Sequence, residues 1–169
     1  MKSNVEFVME EFNSPIGGIF LVSGGGQVRA LDFVEYEARL HKLLASHWGT
    51  PVLRAAAQAS EFRRRMEDYF AGDLAAIETV PVETGGTEFQ RSIWRGLRQI
   101  PVGLTWTYGQ LAAHVGRPKA VRAAGMANSL NPVGIIVPCH RVIGANASLT
   151  GYAGGLERKQ WLLRHEGAR

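Results

Sequence analysis

The single cysteine of this chain lies directly beside a histidine, in the segment Pro138-Cys139-His140-Arg141-Val142. Only the thiolate form of a cysteine is a good nucleophile, and a neighbouring base or positive charge is what produces that form. One cysteine can form neither an intramolecular disulfide nor a cysteine-rich zinc cluster. Two interpretations remain open, a nucleophile activated by His140 and a small buried side chain without chemistry. The apolar run from Val133 to Val137, just before it, indicates a strand.

Helix-capping patterns predict the elements that position this pair. Thr87 with Gln90 and Thr107 with Gln110 have the spacing of capping boxes, and each pair marks the first turn of a helix. The second helix ends near Val115, and the residues 119–128 form a further helix after a break that contains Gly and Pro. Two helices with so tight a break predict a helix-turn-helix.

The first half of the chain has the pattern of a small sheet accompanied by helices. Strands are predicted over Val5–Phe12, Gly18–Ser23, Gln27–Val34 and Ile77–Val82, and helices over Glu37–Trp48 and Ala55–Phe70. Gly85-Gly86 indicates a linker. The sequence thus predicts a mixed α/β (α+β) fold in two parts. These are an N-terminal sheet and helix subdomain over 1–84 and a mainly helical C-terminal subdomain over 87–169.

Charge is distributed unevenly along the chain. Residues 1–86 carry eight Lys or Arg and twelve Asp or Glu, a net charge of −4, whereas residues 87–169 carry eleven and three, a net charge of +8. A basic segment of this kind favours a polyanion as partner, and a solvated basic face is the alternative. No signal peptide or membrane-spanning stretch is recognisable, so we expect a cytoplasmic protein with no membrane partner.

The predicted helix over 119–128 consists mostly of small side chains, so it can approach another surface closely. Ala120, Ala124 and Ala127 share one face, which is expected to pack inward. Arg122 lies on a different side of this low-relief helix. It is a candidate probe of nucleic acid, and packing within the protein itself is the alternative.

Five motifs of the second half occur in the order and spacing of one family. They are Tyr108-Gly109-Gln110-Leu111-Ala112, Arg122-Ala123-Ala124-Gly125, Asn131-Pro132, Pro138-Cys139-His140-Arg141-Val142, and Gly151-Tyr152-Ala153-Gly154-Gly155-Leu156 up to Trp161-Leu162-Leu163-Arg164-His165-Glu166. In these residues the chain resembles the O6-alkylguanine-DNA alkyltransferases, most of all the bacterial Ogt type. Ser14-Pro15-Ile16-Gly17 and the strands after it also resemble the N-terminal subdomain of that family, which implies ribonuclease-H-like strands plus helices in a supporting role.

The resemblance implies direct repair of DNA without a cofactor or metal ion. The protein would bind double-stranded DNA through the minor groove as a monomer and flip the alkylated guanine into a pocket. It would then transfer the alkyl group of O6-alkylguanine, and of O4-alkylthymine, to the cysteine. Since a thioether is a poor leaving group, each molecule would react once.

The resemblance also implies roles for individual residues. Cys139 is the alkyl acceptor, His140 the base that takes its proton through a bridging water, and Glu166 the carboxylate that orients His140. Asn131 ties the helix-turn-helix to the active-site loop, and Tyr108 donates a proton or hydrogen bond to the leaving guanine.

Further positions are implied for DNA and for the pocket. Arg122 fills the gap left by the flipped base. The other expected DNA-binding residues are Tyr108, Gly109, Arg117, Lys119, Val121 and Gly125, and the expected pocket residues are Pro138, Val142, Tyr152 and Ala153.

Two features depart from the family pattern. The structural zinc held by cysteines and histidines in some members cannot exist in that form in a chain with one cysteine. Ala147 stands where relatives of this type are expected to have Gly, and a position that requires a positive φ would make Ala costly there. The alternative functions are a noncatalytic lesion-binding protein, a helix-turn-helix regulator and a cysteine hydrolase, and the presence of Cys139 argues against the first.

Overall fold

The structure is a computed structural model in which residues 5–146 and 151–168 are described. The chain divides into two compact units, Met1–Gly86 and Thr87–Arg169. The first contains a four-stranded sheet and the second is mainly helical, so the predicted mixed α/β class is confirmed. Across the described residues, no helix has the length and apolar character needed to span a membrane.

The sheet of the first unit is a three-stranded meander with one added strand. Its strands are β1 (Glu6–Ser14), β2 (Gly17–Gly24), β3 (Gln27–Phe33) and β4 (Val52–Ala55), in the order β3-β2-β1-β4. Gly25 and Gly26, with φ of 62° and 78°, form the two-residue turn between β2 and β3. A two-residue hairpin turn of this kind requires a positive φ at both residues, and glycine adopts a positive φ without steric cost.

Helices follow the sheet in the first unit. Helix α1 (Glu37–Trp48) places Leu40 and Leu44 against Phe7, Val22 and Ala30 of the sheet in an apolar core. Helix α2 (Glu61–Phe70) begins after Ser60, whose hydroxyl accepts a hydrogen bond from the backbone N–H of Arg63 at 3.1 Å.

Two predicted elements of the first unit are wrong. The helix expected over Ala55–Phe70 begins six residues later, because Ala55 ends the parallel strand β4 beside β1 and Ser60 is the N-cap of α2. Glu10 of β1 reinforces this arrangement, since its carboxylate accepts hydrogen bonds from the Ser60 N–H at 2.7 Å and hydroxyl at 2.5 Å. The strand expected over Ile77–Val82 is reduced to one bridge between Val82 and Val28.

The second unit follows its capping signals closely. It contains α3 (Glu88–Leu97), β5 (Trp106–Thr107), α4 (Tyr108–His114), α5 (Val121–Ser129), β6 (Val142–Ile143) and α6 (Leu156–His165). Both predicted capping boxes are present, at the start of α3 and of α4. Helix α5 begins two residues later than predicted, with Ala120 as its N-cap.

The apolar run before the cysteine is a buried turn and not the predicted strand. Val137 N–H donates to Val133 O at 3.1 Å, and Ile136 N–H donates to Gly134 O at 2.8 Å. Ile135 has a φ of 68°, a conformation that β-branched residues rarely adopt. The four apolar side chains of the run are nevertheless buried. A short run of buried apolar residues has no periodicity that would distinguish a strand from a buried turn, which explains the wrong prediction.

Candidate active site

Cys139, His140 and Arg141 form a single 3-10 turn between the buried run and β6. The Cys139 N–H donates to Val137 O at 2.8 Å, and the Arg141 N–H donates to Pro138 O at 3.0 Å. All three residues are buried, with 6% of Cys139 and none of His140 exposed. The turn therefore holds the thiol and the imidazole in fixed positions inside the second unit.

Glu166 brings a carboxylate to the imidazole from the end of α6. Its Oε2 lies 2.9 Å from Nε2 of His140, and both side chains are fully buried. Glu166 is the C-cap residue of α6, so the end of that helix sets the position of the carboxylate. The structure thus brings together three residues that the resemblance groups as acceptor, base and orienter.

Arg141 is a functional residue that the sequence reasoning did not assign. Its Nε donates to Oε1 of Glu166 at 2.8 Å and one terminal nitrogen donates to Oε2 at 3.0 Å, while the other donates to Ile100 O at 2.8 Å. This fork is the geometry in which a guanidinium holds a carboxylate most firmly. Its position next to His140 in the quoted motif could have indicated a role for Arg141. The sequence does not reveal that its side chain is buried.

Charge in this cluster sets the tautomer of His140. Burial lowers the pKa of His140 below its ordinary value, with the charges of Arg141 and Lys159 acting in the same direction and Glu166 opposing them. Burial alone raises the pKa of Glu166, but the hydrogen bonds from His140 and Arg141, together with the charge of Arg141, outweigh it and hold that pKa well below the usual range. Since His140 is then neutral near pH 7, Arg141 is the cation that keeps Glu166 ionised.

An ionised Glu166 can only accept hydrogen bonds, so the proton of neutral His140 lies on Nε2. The other ring nitrogen, Nδ1, is buried and has no hydrogen-bond partner among the described residues. The lone pair of Nδ1 is therefore available to take a proton. A histidine fixed by a carboxylate on one nitrogen and basic on the other is the arrangement of a general base.

Cys139 lies in the wall of a cavity of about 340 Å³. The lining residues are Tyr108, Gly125, Asn128, Ser129, Cys139, Gly151, Tyr152 and Ala153. Tyr152 and Ala153 were expected in the pocket, Tyr108 was expected at the leaving guanine and Gly125 at the DNA, whereas Asn128, Ser129 and Gly151 were not assigned a role. Pro138 and Val142 were also expected in the pocket. Both are buried near Cys139 in the chain, but neither is among the described residues that line this cavity.

Asn131 joins the end of α5 to the buried turn before the cysteine. Its Nδ2 donates to Val137 O at 2.8 Å, and its Oδ1 accepts from the Val133 N–H at 3.0 Å. The side chain therefore ties both ends of the turn to the residues that follow α5. Through Val137, it also fixes the carbonyl to which the Cys139 N–H donates.

The expected DNA-binding residues lie on α4, on α5 and in the connection between them. Arg122 is exposed on α5, and Val121 beside it is 40% exposed. Arg117 and Lys119 are exposed in the connection, and Gly109 is half-buried near the start of α4. Of the three alanines predicted to face inward, Ala124 and Ala127 are buried, which confirms them, whereas Ala120 is half-buried at the N-cap of α5. The predicted departure at Ala147 lies outside the described residues.

Lys159 of α6 is a further buried residue that the sequence reasoning did not assign. It is fully buried, and its Nζ donates to Val142 O at 2.5 Å. A signal existed, because positions 159, 162, 163 and 166 have the spacing of one helix face and the last three are buried apolar or active-site residues.

Fold and site together define a class of protein with a helix-turn-helix and a buried, base-supported thiol at a cavity. The family model for the DNA-binding domain of 6-O-methylguanine DNA methyltransferase matches residues 88–168. A methylated-DNA–protein-cysteine methyltransferase of Salmonella typhimurium is 48% identical over 161 residues, which cover 94% of each chain. One of Methanosarcina acetivorans is 44% identical over 157 residues, 93% of this chain and 96% of the relative.

Solved structures agree with these relatives. The crystal structure of Mycobacterium tuberculosis OGT in complex with DNA has a TM-score of 0.76 and 40% identity, covering 95% of this chain and 92% of that chain. This chain therefore belongs to the methylated-DNA–protein-cysteine methyltransferases, and the resemblance identified from its motifs is confirmed.

Proposed function

We propose that this protein repairs alkylated DNA directly, by moving the alkyl group of O6-alkylguanine, and of O4-alkylthymine, onto Cys139. The observation that carries the proposal is the thiol in the wall of a cavity of about 340 Å³, next to a histidine whose Nδ1 is available as a base. That volume is in the range of pockets that enclose small organic molecules. Membership of the methyltransferase family supports the same reaction.

The proposed reaction begins with the proton of the Cys139 thiol, which passes to Nδ1 of His140 through a bridging water. The resulting imidazolium remains hydrogen-bonded to Glu166. The thiolate attacks the alkyl carbon, an S–C bond forms, and the bond between that carbon and O6 breaks. The electron pair stays on the guanine, and Tyr108, which also lines the cavity, supplies a proton or hydrogen bond to it.

The product on the protein is a thioether, which has no ionisable proton and is a poor leaving group. Each molecule therefore reacts once, and the transfer is stoichiometric and irreversible. No cofactor or metal takes part in any step, since bond formation and bond breaking are balanced by Cys139, His140 and the substrate.

We further propose how the lesion reaches the cavity. The helix-turn-helix of α4 and α5 binds the minor groove of double-stranded DNA, with Arg117 and Lys119 on phosphates and Gly109, Val121 and Gly125 close to the groove. The target nucleotide rotates out of the stack and Arg122 occupies its place. Residues 1–84 act as a supporting subdomain, and the protein works as a monomer in the cytoplasm, associated with the nucleoid through DNA.

Transfer of labelled methyl groups from O6-methylguanine in duplex DNA tests this proposal. We expect label on the protein up to one group per chain, and none on Cys139→Ala, whose DNA affinity should stay within a few-fold. Binding without label transfer would indicate a lesion-binding protein or a regulator. Release of label to solution with continued turnover would indicate a cysteine hydrolase.

A further inference from the structure

Lys159 places a buried amine behind the active-site turn. The residue has no exposed surface, and its Nζ donates to the carbonyl oxygen of Val142 at 2.5 Å. The Val142 N–H in turn donates to Cys139 O. The amine is therefore anchored to a residue three positions after the thiol, on the backbone of the same turn.

The hydrogen bond to Val142 places the charge of the buried amine beside the turn that carries the thiol. Burial lowers the pKa of Lys159 to about 8, while the interaction with Cys139 acts in the opposite direction. At neutral pH the amine is thus still mostly protonated. An interaction free energy between two sites is reciprocal, so an anion at Cys139 that favours the ammonium is favoured by it to the same extent.

Burial of an ammonium in a protein interior is costly unless a charge or hydrogen bonds compensate it. The Val142 carbonyl supplies one hydrogen bond. During the proposed reaction a full negative charge develops on the sulfur of Cys139, in the same buried region. The resting arrangement therefore prepares a positive charge where the reaction creates a negative one, which is the principle of electrostatic preorganisation.

We propose that Lys159 is a positioning residue for alkyl transfer: its ammonium, held by the Val142 carbonyl, stabilises the Cys139 thiolate while His140 takes the proton. This inference rests on the proposed function. It adds a second positive charge to the one that His140 acquires, and it accounts for a lysine on the buried face of α6.

Several titratable groups surround the thiol and are part of this account. His140 and Arg141 belong to its own turn, Lys159 and Glu166 come from α6, and Tyr108 and Tyr152 share its cavity. Lys159 also lowers the pKa of His140. Loss of the lysine charge should therefore make His140 slightly more basic while making the thiol harder to ionise.

Alkylation of the single thiol by iodoacetamide across a pH series tests the proposal without DNA or substrate, so its outcome is separate from that of the proposed function. Lys159→Gln keeps a hydrogen-bond donor for Val142 but removes the charge. We expect its reactivity midpoint to move upward by about one pH unit, since one nearby charge shifts a pKa by about 1–3 units. At a pH below the wild-type midpoint this corresponds to roughly tenfold slower alkylation.

Two variants serve as controls in the same series. Lys159→Arg keeps the charge and should retain most of the wild-type profile, and Lys42→Met removes an exposed lysine of α1 and should change nothing. An unchanged midpoint in Lys159→Gln would overturn the proposal. Equal shifts in the Gln and Arg variants would also overturn it, because the shift would then not depend on the charge of the side chain.

A measurement on the lysine itself covers the case in which the Lys159 variants do not fold. By reciprocity, the pKa of Lys159, followed by NMR of labelled lysine, should be lower in Cys139→Ser than in the wild type. An equal pKa in both proteins would contradict the coupling between amine and thiol.

Discussion

At the scale of single residues, Glu166 binds two side chains, Arg141 and His140, and each of these contacts has a different consequence. Arg141 holds both of its oxygens and keeps it ionised, and His140 depends on that ionised state for its tautomer. In the proposed reaction the carboxylate therefore orients His140 and does not need to take a proton at any step. Lys159 and Arg141 leave the cluster rich in positive charge, which suits a reaction that begins by making an anion.

Replacement of the base should slow the chemical step and leave docking intact. For His140→Ala we expect the single-turnover rate with duplex substrate to fall by about a hundredfold to ten-thousandfold, the usual contribution of general-base assistance. The affinity for lesion-containing duplex should change little. A rate equal to that of the wild type at pH 7 would reject the role given to His140.

The buried ion pair predicts a specific dependence of stability on pH. The pKa of Glu166 is lowered in the folded protein, so its contribution is complete above the ordinary carboxyl pKa and is lost as the pH falls below about 4.5. Glu166→Gln leaves Arg141 buried without its carboxylate and should lower the free energy of unfolding by about 3–5 kcal/mol at pH 7. Urea titrations of both proteins should converge towards pH 3, and a difference that is constant from pH 7 to pH 3 would contradict this account.

At the scale of elements, the capping boxes of α3 and α4 were predictable because the signal is local, a Thr and a Gln three positions apart. Elements that depend on contacts between distant parts of the chain could not be predicted in this way. The run 133–137 folds as a turn held by Asn131, and Ala55, the first residue of the helix expected over Ala55–Phe70, pairs with β1 as the end of β4. Helix α5 combines both cases. The spacing of Ala124 and Ala127 predicts that they are buried, whereas the residue at which the helix begins was not predicted correctly.

Helix α5 also gives the prediction that separates base flipping from chemistry. Arg122→Ala should slow repair in duplex DNA far more than reaction with free O6-benzylguanine, which requires no flipping. Arg122→Lys should recover only part of the loss, because an ammonium cannot stack as a planar guanidinium does. Equal proportional losses with the free base and the duplex would mean that Arg122 supports the fold or the cavity instead.

At the scale of the whole molecule, the motifs were enough to identify the family, and the residues with implied catalytic roles come together inside one compact unit. What the sequence did not reveal was burial: Arg141, Lys159 and Asn128 carry polar groups that a sequence alone would place on the surface. The charge division along the chain was visible, and the second unit carries the net charge of +8.

That charge predicts how DNA binding responds to salt. If about four to six phosphates are neutralised, the logarithm of affinity should fall with the logarithm of salt concentration at a slope of about −4 to −5. Arg117→Ala and Lys119→Ala should each flatten the slope by about one, and Lys42→Ala in the acidic first unit should not. Identical slopes in all four proteins would mean that these cations only solvate the surface.

The central claim is that Cys139 is the alkyl acceptor and that each molecule reacts once. Peptide mass spectrometry after incubation with an excess of O6-methylguanine duplex tests it most directly, because the chain has no second cysteine. We predict one added methyl group, located on Cys139, in every reacted chain, with product formation that stops at one equivalent. Methylation elsewhere in the chain, methyl transfer by Cys139→Ala, or product beyond one equivalent would contradict the claim.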